Sequence, residues 1–244
     1  MTTIDLMNSH SSVRDFKDEK LSEETKRQLL QSAHSGSSSN FVQATSIIEI
    51  TDEVIRNELA EISQSAPYVK KSGAFYVFVA DLYRQAHILK SQGLSLAPIQ
   101  NMESLLVSVV DTAISAENMA VAAESLGLGI CYIGGIRNDL PRVSELLELP
   151  KYTLPLFGLT IGIPEKRNQI KPRLPLKNFV SEDVYDAQAF TDLVTYDKKM
   201  KNYYLNRSSH PKNMDWTTSQ VKFFSKTRRD DISKFLKKQG FELN

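Results

Sequence analysis

The segment Met102–Leu126 constrains the fold most, because apolar side chains occur nearly all round the helix predicted there. Leu105, Leu106, Val109, Val110, Ile114 and Met119 leave it no wide polar face. A helix of this kind is buried, either in a large core or at a subunit interface. At about 25 residues it would run to ~37 Å, more than a single small domain needs. Gly127 supplies the C-terminal stop, since glycine takes the left-handed conformation without a Cβ penalty.

The flanking segments supply a sheet. Ala74–Ala80 (AFYVFVA) is apolar, aromatic and β-branched, as expected of a strand covered on both faces. Further strands are expected at Thr45–Ile50, Ile130–Ile133 and Leu154–Ile161, with helices at Asp52–Ile62 and near Arg137–Leu147. Ser22, followed by Glu23 and Glu24, marks a helix start: a hydroxyl cap with acids in the first turn. That helix should end by Gly36, before the polar loop SGSSSN. The tail from Tyr185 is mainly helical, with Trp216 near the start of a last helix. Strands and helices alternate irregularly, so an α+β fold with a mixed sheet fits better than a regular βαβ series.

Charge is uneven although the net is only +1. Lys198–Lys238 holds twelve Lys/Arg against three Asp. A solvated helical face explains this, and so does a rim that attracts an anionic dinucleotide. The balanced total offers no global field for nucleic acid. The nearest approach to a membrane span is Met119–Gly135, broken by Glu124 and four glycines, and the first residues lack the pattern of a signal peptide. The single cysteine, Cys131, cannot form an internal disulfide, so a reducing cytoplasm is expected.

Several chemistries drop out. The four histidines are scattered without metal-ligand spacing, and no G-x-S-x-G elbow is present. GLGICYIGG is not a dinucleotide fingerprint, because Tyr132 stands where the third glycine belongs and a helix precedes it. What remains are small polar and basic clusters: His10-Ser11-Ser12-Val13-Arg14, Ser37-Ser38-Ser39-Asn40-Phe41, Tyr132-Ile133-Gly134-Gly135 and Lys171-Pro172-Arg173. Hydroxyls beside Arg, and a rigid K-P-R, suit a phosphate. Paired glycines after a strand let backbone approach a flat ligand. Taken singly, H-S-S-V-R could cap a helix and K-P-R could be a surface turn.

Their order carries more. H-S-S-V-R-D-F, S-S-S-N-F-V-Q, A-E-S-L-G-L-G-I-C-Y-I-G-G, L-P-L-F-G-L-T-I-G with K-P-R-L-P, and Y-Y-L-N-R together resemble the nitroreductase superfamily. Within it they are similar to the oxygen-insensitive NADPH nitroreductase and flavin reductase P group, over essentially the whole chain. The resemblance implies a nitroreductase-like α+β fold: one domain over residues 1–244, helices round a mixed sheet, and an intertwined homodimer. The basic extension from about residue 185 would pack at the dimer interface.

The same resemblance implies FMN as cofactor and NADPH as reductant, with NADH tolerated. His10, Ser11, Ser12, Lys171 and Arg173 would then surround the FMN phosphate and ribityl chain, and Arg14 the N1/C2-carbonyl end of the flavin. Ser38, Ser39, Asn40, Tyr68 and the run Tyr132, Ile133, Gly134, Gly135 would line the ring system. Arg207 and Lys212 would meet the 2′-phosphate of NADPH, and Phe41 could stack on acceptors, although an aromatic beside a strand is more often core. Two departures stand out. Ala66 replaces a glutamine common in relatives, leaving Tyr68 and nearby backbone to contribute, and Lys212 replaces an arginine. The implied reaction is ping-pong hydride transfer to nitroaromatics, quinones or free flavins, in the cytoplasm, with no catalytic side chain nominated and no metal. The alternative is an FMN-binding protein with little turnover.

Overall fold

The computed structural model describes residues 2–207 and 211–243. These residues form two compact units: residues 2–167 with 229–243, and residues 168–228. The helical tail expected from about residue 185 is therefore divided, and its last part belongs to the first unit.

In chain order the first unit contains α1 (Thr3–Asn8), β1 (Asp15–Phe16), α2 (Glu23–His34), β2 (Thr45–Glu49), α3 (Glu53–Ile62), α4 (Ala66–Lys71) and β3 (Ala74–Asp81). It continues with α5 (Tyr83–Ser91), α6 (Ala97–Gln100), α7 (Met102–Ser125), β4 (Gly129–Ile133), α8 (Leu140–Leu146), β5 (Thr153–Gly162) and β6 (Pro164–Lys166). The second unit carries α9 (Ala187–Thr191), α10 (Val194–Asn206) and α11 (Trp216–Phe224). Trp216 does open a helix, but not the last one, because α12 (Ile232–Gln239) follows within the first unit.

Four strands pair antiparallel in the order β2-β3-β5-β4, and β1 pairs with β6 in a separate ribbon. All eight residues of β3 are buried, and alternation along the strand sends the first six to two different cores. Tyr76 and Phe78 join Leu29 and Ala33 of α2 and Met119 and Ala120 of α7. Phe75, Val77 and Val79 join Leu59 of α3, Val69 of α4 and Val143 of α8. The sheet is thus covered on both faces, which accounts for the continuous apolar run. Phe235, Leu236 and Phe241 bring the C-terminal segment into a third core with Leu105, Leu154 and Leu156.

Local signals hold at the helix ends. The Ser22 hydroxyl accepts from the Thr25 N–H at 3.1 Å, and Gly127 has φ +77° just beyond α7. Within the single chain, α7 is buried on one side only. Its inner face includes Ser108, Asp111, Thr112 and Ser115, while Leu106 and Val110 are each 51% exposed. Internal partners make a polar inner face tolerable: the Ser115 hydroxyl donates to the Ala33 carbonyl at 3.0 Å, and Thr112 to Ser108 at 2.7 Å. This helix, not Met119–Gly135, is the one among the described residues long and apolar enough to cross a membrane. It is the central helix of the fold, with its polar side bonded inward.

Candidate functional site

The segment from His10 to Arg14 caps no helix; it runs extended after α1 and lies against β4. Val13 is fully buried, and its N–H donates to the Ile130 carbonyl at 2.9 Å. Gly129 permits that approach, since a Cβ there would stand 2.5 Å from a Val13 methyl. With Val13 turned inward, its neighbours Ser12 and Arg14 turn outward, Ser12 half-buried and Arg14 exposed. Arg14 reaches the buried Cys131 thiol: burial pushes that thiol's pKa up, and the Arg14 charge opposes the shift. His10 Nδ1 lies 2.7 Å from a carboxylate oxygen of Glu124, which is only 9% exposed near the end of α7. That contact fixes the plane of the imidazole and supplies it with a counter-charge.

The end of β4 completes this surface. The Tyr132 hydroxyl donates to Glu117 of α7 at 3.0 Å, and its ring meets Phe157 edge-on at 5.3 Å. Burial, and then the Glu117 carboxylate, push its pKa up. Ile133 is buried beneath. Gly134 and Gly135 begin a 3-10 turn, and their demands differ. A Cβ on Gly135 would collide with the Ser63 carbonyl, so glycine there serves the packing of the turn. A Cβ on Gly134 would meet only the Arg137 guanidinium, at 3.5 Å, so the backbone is open to a flat ligand there. Tyr68 is tied to the same corner, donating to Ser65 at 2.9 Å, while Ser65 donates to the Ser63 carbonyl at 3.1 Å.

The serine loop is built differently. Asn40, Phe41 and Gln43 have φ of 46°, 57° and 53°, a left-handed backbone that non-glycine residues rarely adopt. Buried Asp111 holds it in place, accepting from the Ser38 hydroxyl at 2.7 Å, the Ser39 N–H at 3.1 Å and the Ala44 N–H at 3.0 Å. Arg84 and Gln85 of α5 donate to the Gln43 and Val42 carbonyls at 2.9 and 2.7 Å. Ser38 also accepts from the Gln43 N–H at 2.7 Å, so its hydroxyl is engaged within the loop itself. Ser39 and Asn40 are exposed, and Phe41 is 80% exposed. An aromatic beside a strand reads as core; here the strained backbone turns it outward.

Two of the expected groups therefore come together and one stands apart. His10–Arg14, Tyr68 and Tyr132–Gly135 share the surface around β4. The Ser38–Phe41 loop is anchored thirteen residues back along α7 from Glu124, or ~20 Å. In the second unit Lys171, Arg207 and Lys212 gather round the ring of Tyr204, and the charge of exposed Arg173 acts on Tyr196.

Sequence reasoning missed the residues that hold these groups. Asp111, Glu117 and Glu124 are scattered acids in an apolar helix with no motif to mark them. Arg229, which donates twice to the Asn138 side chain at 3.0 and 2.8 Å, is 91 positions away from it. It adds a second cation beside half-buried Arg137, whose pKa is pushed down by burial and then by Arg229.

Comparison with known proteins covers the whole chain. Residues 7–163 match the model of the Nitroreductase family, and residues 171–244 match that of the Nitroreductase family, C-terminal domain. The chain is 40% identical to the FMN reductase (NADPH) of Bacillus subtilis over 99% of both proteins. It is 41% identical to the oxygen-insensitive NADPH nitroreductase of Salmonella typhimurium over 98% of both. Among solved structures it is similar to the NADPH:FMN oxidoreductase from Vibrio harveyi complexed with NAD+, at 34% identity and a TM-score of 0.87, covering 98% of each chain.

Proposed function

Since the chain belongs to the nitroreductase family, we propose that it is an FMN-dependent NADPH oxidoreductase that reduces nitroaromatics, quinones or free flavins. The observation that carries this reading to particular residues is the surface around β4. An exposed guanidinium, half-buried hydroxyls, an imidazole and an open glycine backbone lie together there. That set fits a flavin nucleotide: cation and hydroxyls suit its phosphate and polar ring edge, and open backbone suits its flat face.

When bound, FMN would supply the redox chemistry, hydride transfer between the nicotinamide and an acceptor. The protein supplies position and charge. Arg14 places a fixed cation at the polar edge of the flavin, where negative charge grows on reduction. His10, Ser11 and Ser12 take the phosphate and ribityl chain. Tyr68 and the Tyr132–Gly135 backbone lie against the ring, while Ser39, Asn40 and Phe41 face acceptors. No side chain is asked to act as nucleophile. The reducing cytoplasm, where NADPH is regenerated, suits this reaction and the free, buried Cys131.

Absorbance of the purified protein, before and after anaerobic NADPH, tests the reading. Flavin bands that bleach are expected; a colourless protein that FMN cannot reconstitute would overturn it. Lys212→Ala should raise KM for NADPH roughly tenfold, the size of a lost phosphate contact, with little change for NADH. Equal effects on both nucleotides would mean that Lys212 does not read the 2′-phosphate.

The working form in this reading is a homodimer. Met102, Leu106, Val110 and Ala113 form one exposed row on α7, at helical spacings of four, four and three. Leu176, Phe179 and Val180 are exposed apolar residues of the second unit. Water contact with such rows is unfavourable by ~1.5–3 kcal/mol for each large side chain, and a second copy relieves it. The serine loop, ~20 Å along α7 from His10, then serves the partner's flavin. Val110→Asp combined with Leu106→Asp should shift the sedimentation coefficient from dimer to monomer. A wild-type monomer would contradict the proposal.

A further inference from the structure

Three cations from separate parts of the second unit converge on one aromatic ring. Lys171 Nζ lies 5.5 Å from the ring centroid of Tyr204, the Arg207 guanidinium carbon 5.3 Å and Lys212 Nζ 4.3 Å. Tyr204 is only 4% exposed, packed in the last turns of α10 with Tyr196 and Met200. The Lys212 N–H donates to the Tyr204 carbonyl at 3.0 Å, so Lys212 is pinned to the residue whose ring carries the charges. Among the described residues, no ion pair joins Lys171 or Lys212 to a carboxylate.

Like charges crowded round one point repel each other, and the negative face of a phenol ring offsets only part of that repulsion. An anion with several acceptor oxygens would balance the rest. The acceptor geometry of a phosphate monoester suits a guanidinium fork flanked by two ammonium groups.

We propose that Tyr204 is the positioning residue of a phosphate-monoester subsite, its ring holding Lys171, Arg207 and Lys212 together so that one dianion meets all three. This rests on the assignment of these cations to nucleotide phosphates made above, and it changes that assignment in one respect. Lys171, given to the flavin phosphate, shares its ring with the two residues given to the 2′-phosphate. The ring acts through the cations and touches no reacting atom. The dianion can come from either of two nucleotides: the 5′-phosphate of FMN or the 2′-phosphate that NADPH has and NADH lacks.

The test keeps the shape of residue 204 and changes only its electrostatics. In the holoenzyme, Tyr204 is replaced by Phe and then by mono-, di- and trifluorinated phenylalanine, which progressively weaken the negative face. One constant should worsen step by step, by roughly three- to tenfold across the series. If the 2′-phosphate binds here, that constant is KM for NADPH, with kcat and the NADH parameters holding steady. If the 5′-phosphate binds here, it is the FMN dissociation constant, with the NADPH/NADH ratio holding steady. Either graded response upholds the proposal. A flat series in both constants overturns it, as does an equal change for NADPH and NADH with FMN affinity constant.

Lys212→Ala and Arg207→Ala, made with Tyr204 intact, separate this proposal from the reading beneath it. If those variants alter neither constant, the cations bind no phosphate and the underlying assignment fails. If they respond while the fluorinated series stays flat, only the role of the ring fails. Tyr204→Leu removes the face outright, and the fluorinated series still decides the question if that variant does not fold.

Discussion

Arg14→Ala should weaken FMN binding by roughly ten- to a hundredfold, the cost of losing a charge-assisted contact of about 1.5–3 kcal/mol. Flavin reduction by NADPH should slow as well, because the cation that favours the reduced anion is gone. The structure explains why this residue can serve and its neighbour cannot. Val13 is buried against Gly129, and strand-like alternation turns Arg14 outward beside Cys131. Arg14→Lys separates charge from geometry: it keeps the cation, loses the planar fork, and should fall between wild type and alanine. Equilibrium titration of apoprotein with FMN measures the first effect, and stopped-flow bleaching of the flavin the second. Unchanged values for both in Arg14→Ala would remove Arg14 from the site. The thiol gives an independent check, since without the Arg14 charge opposing burial its pKa should rise further and its reaction with a maleimide should slow.

Asp111→Ala should destabilise the protein by about 3 kcal/mol and spoil the loop it holds. The carboxylate is 2% exposed and takes three donors, from Ser38, Ser39 and Ala44. Removing it leaves the buried Ala44 N–H without its acceptor, and each such loss costs ~1–3 kcal/mol. Water can reach Ser38 and Ser39, so the total stays at the low end of what three lost partners could cost. For a chain of this size that corresponds to a Tm lower by roughly 6–12 °C. The strained residues Asn40, Phe41 and Gln43 then lose one of their two anchors, leaving Arg84 and Gln85. Turnover with aromatic acceptors should fall more than turnover with a small inorganic acceptor, because Phe41 no longer holds one position. A Tm within 2 °C of wild type would mean that the loop finds other partners.

Much of the fold was legible because its signals are local. A hydroxyl followed by acids marks the start of α2 through bonds within one turn, and Gly127 ends α7 through its own backbone freedom. An unbroken apolar run such as β3 has to be covered on both faces wherever it lies. The site was legible as a set of short motifs in order, each defined by residue types a few positions apart. Its supporting residues were not. Glu124 reads as an ordinary helix acid until His10, 114 positions earlier, is placed against it. Tyr204 reads as one aromatic among several until three cations meet at its ring.

What the sequence by itself determined is therefore the four strands of the main sheet, the longer helices, the central place of α7 and the residue types able to hold a flavin nucleotide. What only the tertiary structure decided is direction. The polar side of α7 faces inward because Asp111, Thr112 and Ser115 find partners there, Thr112 at the Val79 carbonyl of β3, and this leaves Leu106 and Val110 outside. Phe41 points away from the core because buried Asp111 and the α5 side chains fix the backbone on either side of it. Hydrogen bonds between residues far apart in the chain settle these directions, and residue types alone do not encode which distant donor a buried acceptor will find.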